Sequence, residues 1–142
     1  DWWGFKHEAY DMTIANIAIV DQARGGTGCA IVHSDSASGI QRLNQEAAKA
    51  LAAGREAGFD ISEGRAMTWL TKNPAKSLGI LDQTGTLEQG KDADVVIWDG
   101  NPFSVYTKAE QVYIDGALVF DKATNFMPHT DFDLGIKEWE DK

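Results

Sequence analysis

A single cysteine occurs in the 142 residues, which excludes an intrachain disulfide and any Cys-rich zinc site. Histidine is nearly as scarce, at three: His7, His33 and His129. None belongs to a His-x-His or His-Glu-x-x-His pattern, so no local motif supplies a complete His-rich metal site. No stretch reaches the roughly 18 consecutive apolar residues of a transmembrane helix, and no membrane partner is expected. Basic residues are outnumbered, 13 Lys and Arg against 22 Asp and Glu, for a formal net charge of −9. With no basic cluster, this balance argues against nucleic-acid binding, which needs Lys and Arg on phosphates. The opening Asp1-Trp2-Trp3-Gly4 has neither an initiator Met nor a signal-peptide pattern. It reads as the middle of a longer chain.

What is present reads as α/β. The aromatic start is followed by a helix expected over about Glu8 to Arg24, with Met12, Ala15, Ile19 and Ala23 at helical spacing. Ile14, Ile17 and Val20 widen that face, and Gly25-Gly26-Thr27-Gly28 ends it. Cys29 to His33 is expected as a short strand of the kind buried on both faces of a parallel sheet. Cys29 in that run is expected to be a buried structural thiol, since free cysteine behaves as a small hydrophobe. A second helix spans about Arg42 to Ala57, with Leu43, Ala47, Ala50, Leu51 and Gly54 on one face. A third is expected after Asp60, with Glu63 completing a capping box, and runs through Ala66, Trp69 and Leu70 to near Lys72. A fourth starts with Asn73 as cap and Pro74 at its first position, and stops at Gly79.

Beyond Ile80 the pattern turns to β. Val95 to Trp98 is a buried-type strand, and Gln111 to Ile114 with Ala117 to Phe120 flank Asp115-Gly116, a strong hairpin signal. Lys91-Asp92 is expected as a solvated turn, and Asp94 as a residue that ties down backbone. No internal repeat or low-complexity segment occurs.

Asp35 stands just past the end of an apolar strand, where α/β folds place their chemistry. In the Ser34-Asp35-Ser36 cluster a carboxylate can cap the next helix, as such clusters commonly do. It can also ligate a cation or accept a proton. His33 lies two residues earlier, on the same side by strand alternation, and reads either as a hydrogen-bonded packing residue or as a ligand.

Read together, these segments carry a resemblance. Thr71-Lys72-Asn73-Pro74-Ala75-Lys76-Ser77-Leu78-Gly79-Ile80, then Gly85-Thr86-Leu87-Glu88-Gln89-Gly90-Lys91-Asp92-Ala93-Asp94-Val95-Val96, then Asp99-Gly100-Asn101-Pro102 and Val112 to Val119 follow one another in order and spacing. This set resembles the C-terminal part of the amidohydrolase superfamily, in its imidazolonepropionase-like and prolidase-like branch, over about residues 8 to 123.

The resemblance implies a metal-dependent hydrolase on a distorted (β/α)8 barrel with a small β-sandwich beside it. Residues 1–80 would be the last part of the barrel, 81–124 a sandwich segment and 125–142 a tail. Within the first part, Glu8 to Arg24 would be the seventh barrel helix. Asp35 matches the carboxylate at the end of the eighth strand, which implies a metal ligand that also takes the proton of the attacking water. Trp2, Trp3, Phe5 and His7 would end the loop after strand seven and become substrate-pocket candidates, with packing as the other reading. His33 is a further pocket candidate, although the family often has a small residue there.

The departure is equally plain. The family's strand-one His-x-His, its bridging lysine and its strand-five and strand-six histidines are absent. A barrel takes about 250 residues, so this chain would hold roughly its last quarter. A divalent ion, zinc by expectation, would belong to the complete enzyme and not be held tightly by this piece. Unpaired strand edges would call for the remainder of the barrel or another copy of the chain. The substrate would be a small amide, cyclic amide or dipeptide. The competing function is a non-catalytic binding or assembly module.

Overall fold

A computed structural model describes His7 and residues 10–124. Trp2, Trp3 and Phe5, and the tail at 125–142, lie outside the described residues.

Among the described residues, four α-helices, a short 3-10 turn at Ile40–Arg42 and one sheet follow in chain order. Helix α1 is Asn16–Gly26, α2 is Leu43–Glu56, α3 is Glu63–Met67 and α4 is Lys72–Leu78. The strands are β1 (Val95–Trp98), β2 (Ala109–Ile114) and β3 (Ala117–Asp121). They form one antiparallel sheet in the order β1-β2-β3. No second sheet layer occurs among the described residues.

Helix α1 starts later than its apolar spacing predicts. The Thr13 hydroxyl accepts from the Ala15 N–H at 3.3 Å and the Asn16 side chain accepts from the Ile17 N–H at 2.7 Å. Such local side-chain bonds compete with helix formation and favour a start at this point. The end is as expected in kind: Arg24, Gly25 and Gly26 take φ of 53°, 73° and 83°.

The buried face of α1 also differs. Ala15, Ala18 and Asp21 are buried, whereas Met12, Ile14, Ile19 and Val20 are about half exposed or more. The reason is a close helix approach. A Cβ added to Gly54 of α2 would stand 2.5 Å from the Ala18 Cβ, so the two helices meet over small residues. Helix α2 itself buries the expected Ala47, Ala50, Leu51 and Gly54. Ala47, Ala50 and Leu51 make the core with Ala18, Ala30, Ile61, Ala66 and Trp69, and Phe59, Leu70 and Phe103 pack around it.

The third predicted helix is shorter than expected, covering only Glu63–Met67. Ser62, not Asp60, caps α3, its hydroxyl accepting from the Arg65 N–H at 3.1 Å. Turns over 68–71 then separate α3 from α4. Asn73 does not cap α4; it is buried inside the first turn, and its amide donates to Ala30 O at 2.8 Å. Gly79 at φ 77° stops the helix as expected.

The hairpin is as the Asp-Gly pair predicts, with Asp115 at φ 50° and Gly116 at φ 77°. Asp94 anchors it: its carboxylate accepts from the Asp115 N–H and from the Thr84 hydroxyl, both at 3.1 Å. Lys91 is not in a solvated turn. Its side chain is 12% exposed, and its ammonium donates to Leu81 O at 2.6 Å and to the Thr86 hydroxyl. The β1 strand is less covered than its sequence suggests: Val96 and Ile97 are 42% and 43% exposed. The loop after β1 ties the sheet to the helices. Asn44 donates to Pro102 O at 2.7 Å and Asn101 donates to Glu63 at 3.0 Å.

Candidate active-site segment

The chain from Gly28 to Ser34 runs without helix, and no ladder partner is assigned to it among the described residues. The expected strand Cys29 to His33 is therefore not part of a sheet here. Its polar backbone groups are satisfied otherwise. Gly28 N–H donates to Asp21 O at 3.1 Å. Arg65 Nη2 donates to Gly28 O at 3.0 Å, and the Asn73 amide donates to Ala30 O at 2.8 Å. Val32 N–H donates to Trp69 O at 3.2 Å. Gly28 has no room for a side chain, because a Cβ would fall 1.8 Å from Val20 O.

Ala30 is buried between exposed Cys29 and half-buried Ile31. The thiol expected inside thus faces out, its Sγ 3.9 Å from Asn73 O. With Ala30 directed into the core, its neighbour at 29 is directed away from it.

Arg65 and Trp69 are organised by one buried acid. The Asp21 carboxylate is 0% exposed. It accepts from Arg65 Nε at 2.8 and 3.1 Å, from Trp69 Nε1 at 2.8 Å and from the Gln22 amide at 2.8 Å. A buried carboxylate is tolerable only when paired and hydrogen-bonded in this way. Sequence reasoning missed this network. The available signal was an acid at 21 in line with Ala15 and Ala18, and an Arg-Trp pair four apart at 65 and 69.

Asp35 follows at the end of the segment, in a turn made by serines. The Ser34 hydroxyl donates to Ser36 O at 2.9 Å and accepts from Ser36 N–H at 3.3 Å. The Ser36 hydroxyl accepts from Gly39 N–H at 3.2 Å. Asp35 itself has φ 48°, a left-handed conformation that costs an ordinary L-residue of order 1–2 kcal/mol and Asp somewhat less. Its side chain is exposed and has no hydrogen-bond or ion-pair partner among the described residues. Turn and cap bonds thus fall to Ser34 and Ser36, leaving the carboxylate available.

Of the other predicted site residues, His7 and His33 are described. His33 is exposed, and so is His7, whose carbonyl accepts from Tyr10 N–H at 3.2 Å. Among the described residues no group of three or more His, Cys, Asp or Glu is placed to hold a metal ion. The donor set present, one open carboxylate with an imidazole two residues away, fits a single contribution to a metal site and not a whole one.

The displaced pKa values lie on the β side of the molecule. Asp99 is held below the usual carboxylate range by the Lys108 backbone N–H, with Lys122 adding to it. Lys122 is raised in turn by its hydrogen bond to Asp99. Glu88 is lowered by its hydrogen bond with Thr86 and by the Lys91 charge. A shallow groove of about 540 Å³ is lined by Glu110, Gln111, Asp121, Lys122 and Ala123, none of which belongs to the Asp35 segment.

Comparison with known proteins places this geometry in context. The Amidohydrolase family matches residues 11–126. An imidazolonepropionase of Brucella anthropi is 47% identical over 55 residues, which is 39% of this chain and 12% of that protein. An amidohydrolase of Hapsidospora irregularis is 41% identical over 56 residues, 39% of this chain and 6% of that protein. The crystal structure of an amidohydrolase from Thermotoga maritima superposes with a TM-score of 0.68 at 36% identity, covering 82% of this chain and 28% of that one. The chain thus spans a small part of the length of the relatives it matches.

Proposed function

Since this chain belongs to the amidohydrolase family, we propose that it is the C-terminal part of a metal-dependent hydrolase of C–N bonds, with Asp35 as a catalytic carboxylate. The observation that carries this reading is the open carboxylate of Asp35, at the end of an extended segment inside the stretch that matches the family. On this reading Cys29 to His33 is the eighth strand of a (β/α)8 barrel and α1 lies in its seventh helix. Residues 81–124 belong to a β-sandwich, and His7, His33 and the aromatics Trp2, Trp3 and Phe5 line the pocket. Substrates are amides, cyclic amides or dipeptides, supported by relatives named as amidohydrolase and imidazolonepropionase. The uncovered apolar side chains, Ile14, Ile19 and Val20 near α1 and Ile97, Leu118 and Val119 on the sheet, are surfaces for the rest of the polypeptide or for another copy.

A divalent ion, zinc by the family's chemistry, would supply a water acidic enough to attack at neutral pH. Asp35 would be the carboxylate ligand this segment offers it. The Asp35 carboxylate accepts the proton of the attacking water and delivers it to the departing nitrogen. His33, exposed beside it, contacts substrate or solvent.

The test is the complete polypeptide, stripped with a chelator, reloaded with zinc and assayed on amides, cyclic amides and dipeptides. Turnover that disappears on stripping and returns with zinc supports the reading. No turnover of any substrate class by the reloaded protein overturns it.

A further inference from the structure

We propose that Arg65 and Asn73 are positioning residues for Asp35, a claim that rests on the catalytic reading of Asp35 given above. The segment leading to Asp35 is held at alternate residues. Gly28 O is taken by Arg65, Ala30 O by Asn73 and Val32 N–H by the carbonyl of Trp69. All three anchors come from one short stretch, residues 65 to 73, at intervals of four. Along the segment the partners run 65, 73, 69, which is not the order of a strand ladder, but the three bonds together pin residues 28 to 32 against that stretch.

The consequence falls on Asp35. A slip of one residue in an extended chain is about 3.3 Å. A misplacement of about 1 Å at a reacting group costs up to a hundredfold in rate. Downstream of Val32 the Ser34 and Ser36 bonds fix the turn internally, and Asp35 holds its left-handed φ within it. These side-chain bonds carry Asp35 along with the segment, and Ile40 N–H donates to Ser36 O at 3.2 Å, tying the turn forward to the helical turn Ile40–Arg42 ahead of α2. On its N-terminal side Asp35 is located by the anchors. Arg65 is fixed in turn, because Asp21 takes its Nε and leaves Nη2 for Gly28 O. Fork geometry matters here, since guanidinium addresses two acceptors at once and an ammonium is a point charge.

The experiment uses the complete polypeptide and three variants: Asn73→Ser, Arg65→Lys and Asp35→Asn. Asn73→Ser removes the bond to Ala30 O and leaves Asp21 paired. Arg65→Lys keeps the charge against Asp21 and gives up the fork. Three quantities are read: thermal midpoint, affinity for zinc by competition with a chromophoric chelator, and kcat with KM. Outer-shell partners of a metal ligand are worth about ten- to a hundredfold in affinity or activity. Expected for Asn73→Ser and Arg65→Lys is a folded protein with zinc affinity and kcat each down by that factor and KM within about twofold. Folded variants with wild-type kcat and zinc affinity overturn the proposal. Failure of both to fold also overturns it, because the anchors then serve the fold and not the placement of Asp35. Asp35→Asn separates the two levels. If it retains wild-type kcat and zinc affinity, the catalytic reading fails. If it loses both while the anchor variants do not, only the positioning claim fails.

Discussion

Asp21 Oδ1 accepts a 2.8 Å hydrogen bond from the Trp69 indole N–H, and both residues are fully buried. They are 48 positions apart in sequence. The bond joins α1 to the turn after α3, and the same carboxylate holds Arg65, which reaches on to Gly28 O. One acid thereby sets the relative places of a helix, a turn and the segment that ends in Asp35.

That makes Asp21 the side chain whose loss should be felt most. Asp21→Ala leaves the Trp69 N–H without its acceptor inside the core and removes the carboxylate from the partly exposed Arg65. Leaving a buried donor unsatisfied costs about 1–3 kcal/mol. Urea denaturation of the complete polypeptide should show a loss of that size. A change below about 1 kcal/mol would mean that water replaces the carboxylate, contrary to its 0% exposure.

Gly54→Ala tests the helix contact. The added methyl would lie 2.5 Å from the Ala18 Cβ and 3.4 Å from Ile61 Cδ1. Overpacking of this kind costs about 1–3 kcal/mol. Because the clash is with one side chain, Ala18→Gly in the same molecule should recover part of it. The double variant is expected to be more stable than the sum of the two single changes, the signature of contacting sites. Strict additivity in denaturant melts would place the contact elsewhere.

These two cases show what the sequence made legible. Helix α2 and the Asp115-Gly116 hairpin were readable because their signals are local: a stripe of alanines at helical spacing, and a turn dipeptide between apolar runs. The buried face of α1 was not, because large apolar residues suggest an inside that small residues and one acid occupy. Ile19 and Val20 stay about half exposed, while Ala18 meets Gly54. Asn73 read as a helix cap from its place before Pro74, but its partner is Ala30, 43 positions away. Asp35 was singled out by its position after an apolar run. Its anchors were hidden, since Arg65, Trp69 and Asn73 act through contacts between residues far apart in sequence.

On the sheet, Asp99 is predicted to titrate below a normal aspartate. A carboxyl with a lowered folded pKa contributes stability that is present above its unfolded pKa and is lost as pH falls through the folded value. The leading cause is the Lys108 backbone N–H, at 2.8 Å, with Lys122 second at 2.9 Å. Lys122→Met should therefore raise the Asp99 midpoint in an NMR titration only part of the way. Full return to the ordinary value would assign the whole effect to Lys122 and contradict the backbone bond.

The 142-residue chain alone is predicted not to hold zinc stoichiometrically at neutral pH. Protein zinc sites take three or four protein ligands. The described residues offer the open carboxylate of Asp35 and the nearby His33. Calorimetry showing one tight zinc per chain would overturn this and relocate the site to the segments at either end.

The decisive substitution is Asp35→Asn in the complete polypeptide. Asparagine keeps the size of aspartate and tolerates left-handed backbone as aspartate does, so φ 48° is retained at little cost. The turn bonds of Ser34 and Ser36 do not involve the Asp35 side chain and are untouched. Stability should therefore change by less than the roughly 1 kcal/mol that a lost cap costs. The chemistry should not survive as well. An amide accepts no proton near neutral pH and lacks the charge that makes a carboxylate a good ligand for a divalent ion. Loss of general acid–base help alone predicts a fall of about a hundredfold to ten-thousandfold in kcat. A cap and a base thus separate cleanly in two measurements, one melt and one rate. An Asp35→Asn protein with a wild-type melt and a wild-type kcat would falsify the catalytic role, and would leave the strained turn at Asp35 as a feature of the fold alone.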